Sequence, residues 1–149
     1  MVGAVIVAGP QAQADSMCSN RTWVREFDTP GENIDVEYFY CVAGPGSSPG
    51  GKYRGEGSGR VLDGGGLRKV DTFIVETRLE RGSVDIYRKR CNFTKAVNAH
   101  GTSNIDCNTK YGIGRHPRLT GDGRIYINID GDGRSGTWYN LPGSAPLGS

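Results

Sequence analysis

The sequence predicts an all-β fold: one small, disulfide-linked domain built as a β-sandwich or barrel. Three observations predict it. Valine and isoleucine together number 20 against 6 leucines, and 13 residues are aromatic, a balance that suits pleated strands better than helices. Glycine is in excess, 24 of 149 residues, and it falls between short stretches of alternating hydrophobicity. Four cysteines, Cys18, Cys41, Cys91 and Cys107, lack the close spacing of zinc or redox sites, so the even count reads as two disulfides.

The elements follow in chain order. Val2 to Ala8 is a short apolar run, Gly9-Pro10 breaks it, and Ala12-Gln13-Ala14 offers small residues before Asp15. Residues 1–14 therefore have the pattern of a signal-peptide remnant, although no Lys or Arg precedes the apolar run. Residues 15–141 form the expected β-rich domain, and 142–149, small residues and proline, the expected extended, flexible tail. Thr22 to Phe27 reads as a first strand, and Ile34, Val36 and Tyr38 lead a second into Cys41.

Between Gly44 and Gly66, 10 of 23 residues are glycine, which predicts a long glycine-rich loop or a loosely paired excursion. Phe73, Val75, Thr77 and Leu79 then alternate with Ile74, Glu76, Arg78 and Glu80. Arg81-Gly82-Ser83 is turn chemistry, and Val84 and Ile86 start a return strand toward Cys91, so the segment predicts a hairpin. Asn98 to Asn108 is a polar loop clipped by a bridge. Ile125, Ile127 and Ile129 alternate with Tyr126, Asn128 and Asp130. After the turn Asp130-Gly131-Asp132-Gly133, Thr137 to Leu141 returns as a partner strand. Of three possible disulfide connectivities, the sequential one, Cys18–Cys41 and Cys91–Cys107, closes the shortest loops; each bridge is then worth about 3 kcal/mol.

Composition excludes several functions. The net charge of +2, from 18 basic and 16 acidic residues, argues against a strongly basic nucleic-acid binder. No apolar run reaches the roughly 18 residues that a membrane-spanning helix needs. Arginine outnumbers lysine 13 to 5, as in GC-rich bacterial genomes. Gly46 to Tyr53 matches a phosphate-binding loop as far as Lys52, but Tyr53 stands where Ser or Thr is required and no helical pattern follows, so no nucleotide is expected. The same stretch holds a GxSxG around Ser48, without the helix that a nucleophile elbow needs.

Four groups of residues carry candidate chemistry. Asn128, Asp130 and Asp132 place oxygen ligands at alternate positions, the first half of a calcium loop, but Tyr139 occupies the position of its closing glutamate. Calcium is therefore the one cofactor considered. His100 and His116, with Glu76, Glu80, Arg78, Arg88 and Arg90, supply the residue types of a small hydrolase or nuclease-like toxin. The basic cluster Arg78, Arg81, Arg88, Lys89, Arg90 and Lys95 predicts a docking surface on the hairpin, diluted by Glu76, Glu80 and Asp85. Trp23, Trp138 and Tyr139 are the aromatic anchors. If Trp138 and Tyr139 lie on a strand they face opposite sides, one into the core and one outward beside the acidic turn.

The function these readings favour is a secreted, non-catalytic binding or adaptor module for a glycan or protein partner, a subunit of a larger assembly. Trp138, Tyr139, Asn128, Arg88 and Arg90 are its ligand-binding residues. The alternatives are a small secreted hydrolase using a histidine, and an enzyme inhibitor presenting the loop Asn92 to Asp106.

Overall fold

A computed structural model describes residues 16–44, 51–63, 66–99, 101–113 and 118–147. The proposed signal remnant, Ser48, His100 and His116 lie outside them.

The chain folds into two antiparallel sheets packed face to face. The strands are β1 (Ser16–Cys18), β2 (Trp23–Phe27), β3 (Ile34–Ala43), β4 (Arg54–Asp63), β5 (Val70–Arg81), β6 (Val84–Asn92), β7 (Thr102–Asn104), β8 (Cys107–Asn108), β9 (Leu119–Ile129) and β10 (Thr137–Asn140). One five-residue helix, α1 (Thr94–Asn98), follows β6. Sheet A has β3 and β4 at its centre. β1 and β2 share the free edge of β3, and β7 and β8 share that of β4. Sheet B runs β10-β9-β5-β6.

The register puts the expected residues inside. Ile34, Val36, Tyr38, Tyr40 and Val42 of β3 are buried, as are Phe73, Val75 and Leu79 of β5 and Ile125 and Ile127 of β9. These alternations are the period-2 signal of half-buried strands. The hairpin expected over Phe73 to Cys91 forms: Ile74 pairs with Asn92 and Leu79 with Tyr87. β10 pairs with β9, Trp138 opposite Tyr126, across the turn at Asp130 to Gly133, where Gly131 and Gly133 take positive φ.

The glycine-rich segment differs from expectation. Over Arg54–Asp63 it is a ten-residue strand at the centre of sheet A, hydrogen-bonded to β3 throughout. Its alternate glycines face inward because there is no room for more. A Cβ on Gly55 would sit 2.5 Å from the Arg78 carbonyl oxygen, and one on Gly57 would sit 2.6 Å from the Tyr38 hydroxyl. Sheet B answers in kind: a Cβ on Gly121 would lie 1.8 Å from the Cys41 carbonyl oxygen. Backbone thus packs on backbone where the sheets come closest. Tyr40 crosses the remaining gap, its hydroxyl donating to the Glu76 carbonyl at 2.8 Å.

The sequential disulfides are present, Cys18–Cys41 within sheet A and Cys91–Cys107 between β6 of sheet B and β8 of sheet A. The polar stretch after α1 is not a plain loop but supplies the edge strands β7 and β8. Asn98 at the end of α1 closes the start of β5: its Oδ1 accepts from the backbone of Lys69 and Val70 and its Nδ2 donates to the Val70 carbonyl. Beyond β10 the described chain continues to Leu147. Over 142–147 it is tied to β9, Ser144 to Gly121 and Leu147 to Leu119. Among the described residues no helix is long and apolar enough to cross a membrane.

Candidate functional site

The outward positions of sheet B carry most of the charged candidates. β5 is central in that sheet, and its outward residues are Ile74, Glu76, Arg78 and Glu80. β9 contributes Asp122, Arg124, Tyr126 and Asn128, β10 contributes Trp138, and β6 contributes Arg88 and Arg90. The register aligns Arg124, Glu76 and Arg90 in one row across three strands, with Asp122, Arg78 and Arg88 in the next.

Glu76 is the hub. Its side chain has no accessible surface, yet it faces outward, because arginines close over it. Arg90 Nε donates to it at 2.7 Å and Arg124 Nε at 3.0 Å, while Arg88 and Arg78 stand 3.8 and 3.9 Å away. Burial alone would raise the Glu76 carboxyl. The hydrogen bonds from Arg90 and Arg124, with the charge of Arg124 and Arg88, outweigh burial and hold it below its ordinary range. Trp138 lies over this row. The Arg124 guanidinium is 4.0 Å from its ring centroid and that of Arg90 5.2 Å, and Tyr126 packs at 5.2 Å.

The neighbouring row is more acidic. Arg78 lies 3.4 Å from Glu80 and 3.7 Å from Asp122, and Arg88 pairs with Asp85. Burial, the charge of Asp122 and a hydrogen bond with Asp85 push the Glu80 carboxyl up to about 7, against the pull of Arg78. The face therefore has two halves. Around Trp138, Arg90 and Arg124 share a single carboxylate, which leaves local positive charge. Around Arg78, carboxylates match or exceed the guanidinium.

Of the expected ligand-binding residues, Trp138, Arg88, Arg90 and Asn128 share this face. Tyr139 points the other way and packs on Trp23 and Phe27 at 6.0 and 5.5 Å, with the Arg25 guanidinium 4.5 Å above it. Asn128 Oδ1 is buried and has no hydrogen-bond partner. Asp130 and Asp132 sit in the β9–β10 turn. Asp130 shares a hydrogen bond with Asp71, whose carboxyl is thereby raised, and Asp132 accepts from the Arg134 backbone at 2.8 Å. Among the described residues, no group of three or more His, Cys, Asp or Glu side chains is placed to hold a metal ion. Sequence reasoning missed Arg124. The alternation that exposed Tyr126 and Asn128 runs back two residues to it, and that signal was there to be extended.

Compared with protein-family models, with curated proteins and with solved structures, the chain matches none.

Proposed function

We propose that the protein is a secreted, non-catalytic binding module that docks an acidic glycan on the outer face of sheet B. The observation that carries this reading is the pair of guanidiniums, Arg90 and Arg124, that share the buried Glu76 carboxylate beneath Trp138. Glu76 fixes both arginines before any ligand arrives, so little side-chain entropy remains to be lost on binding. One carboxylate leaves two guanidiniums with charge to spare for a uronate or sulfate group, which arginine recognises through its planar fork. Trp138 adds an aromatic plane against which a sugar ring packs. Two disulfides in so small a domain support an oxidising, extracellular setting.

The test is affinity electrophoresis through gels containing polygalacturonate, heparin or a neutral glucan. Retardation is expected in the acidic gels, weakening with salt, and Arg90→Ala or Trp138→Ala should reduce it about tenfold. Equal migration in all gels, or capture of an acidic protein with no glycan affinity, would overturn the glycan reading.

One observation favours a second reading. Glu80, with its carboxyl near 7, stands beside Arg78 and Asp85 and has the chemistry of a general acid. The hydrolase it implies would shorten a polyanion such as RNA or polygalacturonate, and Glu80→Gln would abolish that cleavage.

A further inference from the structure

We infer that the cleft on the outer face of sheet A is a second binding site, built for a neutral hexose unit of a glycan. It lies on the opposite side of the sandwich from the arginine face and does not depend on that site.

The cleft encloses about 420 Å³ and crosses the strands of sheet A, within the range of small-ligand pockets. Phe39 of β3 is half-buried and contributes the aromatic ring. Around it stand Glu37, Ser58, Arg60, Asn104 and Asp106. The register explains how they meet: Phe39 lies opposite Ser58, Glu37 opposite Arg60, and Arg60 opposite Asn104. Beyond β7 the chain stays extended, burying Ile105 and Cys107, so Asn104 and Asp106 both face out toward the cleft.

The chemistry is that of a polyhydroxylated ring. Glu37 and Arg60 neutralise each other at 2.9 Å, and Ser58 Oγ donates to Asp106 Oδ1 at 3.0 Å. No excess of guanidinium remains to select an anion, in contrast with sheet B. What remains is a ring of hydroxyl, amide and carboxylate groups that accept and donate at several angles. The C–H face of a hexose fits the Phe39 ring while its hydroxyls reach Asn104, Asp106 and Ser58. The cleft lies open along the sheet face, so it suits one unit of a chain.

The test is an amide chemical-shift titration of the whole chain with soluble gluco-, galacto- and manno-oligosaccharides, and with oligogalacturonate as the anionic probe. Neutral sugars should shift Phe39, Ser58, Asn104 and Asp106 with little salt dependence. Phe39→Ala should weaken binding about tenfold or more, Asp106→Asn a few-fold, and Trp138→Ala should leave it unchanged. Shift mapping on the unaltered chain makes the result independent of how well Phe39→Ala folds. No shift with any neutral sugar at about 10 mM overturns the inference. So do shifts confined to sheet B with the anionic probe, an outcome that leaves the proposed function standing. Neutral binding at the cleft without anionic binding supports this site and counts against the other.

Discussion

Glu76 carries a charge with no accessible surface, and two arginines on strands either side of it make that tolerable. Removing the carboxylate leaves Arg90 and Arg124 facing each other across β5. Because both are partly exposed, water relieves some of the repulsion, and Glu76→Gln should cost about 1–3 kcal/mol in urea unfolding. Glu80, two residues along the same face, acts with the opposite sign. Its carboxyl is raised to about 7, so between its ordinary value near 4.5 and 7 the folded chain holds a proton that the unfolded chain has lost. Its contribution is therefore complete below pH 4.5, declines as pH rises, and is gone above about 7. Glu76, whose carboxyl is lowered, contributes above its ordinary range, and that contribution is lost as pH falls through its folded value. Thermal unfolding of the parent should show stability declining from about pH 5 to 7.5, and Glu80→Gln should flatten that slope. An unchanged slope in the variant would remove Glu80 as its source.

At the scale of elements, the strands differ in how openly the sequence shows them. The hairpin Phe73 to Cys91 and the strand around Ile125 to Ile129 declare themselves by clean alternation. So does the split of Trp138 from Tyr139 across β10. The central strand β4 does not, because three of its inward positions, ahead of the buried Val61, are Gly55, Gly57 and Gly59. Glycine at alternate positions carries no hydrophobic signal, and its reason lies on another strand, in the Tyr38 ring and the Arg78 backbone. Nor does the local pattern say which sheet a strand joins, so the meeting of Arg124 with Arg90 over Glu76 was not visible from either strand alone. The same logic yields a prediction. Gly121→Ala would drive a methyl into the Cys41 carbonyl, a backbone atom that cannot swing aside. It should destabilise the domain by about 1–3 kcal/mol or more. Gly131→Ala, on the open turn with nothing within 4 Å, should cost less, chiefly through its positive φ. Equal losses would argue that the sheets do not approach as closely as Gly121 indicates.

Across the whole molecule, the two disulfides do different work. Cys18–Cys41 joins residues that already face each other in one sheet, whereas Cys91–Cys107 spans the sandwich from β6 to β8. Among the described residues β6 is the edge strand of sheet B and pairs with β5 alone. It also carries Arg88 and Arg90, so the bridge that anchors this edge holds half of the arginine face in register. Replacing Cys91 and Cys107 together by serine should cost about 2–5 kcal/mol. Under conditions where the domain remains folded, it should also weaken acidic-glycan retention, by loosening Arg90 over Glu76. Replacing Cys18 and Cys41 should lower the unfolding midpoint while leaving retention at the parental level, since this bridge lies within sheet A and neither β1 nor β3 contributes a residue to the arginine face. Paired urea curves and affinity gels on the two double variants measure both quantities at once. If both variants lose stability while both keep retention at the parental level, the bridges act only on the unfolded chain, and the arginine face owes nothing to the staple beside it.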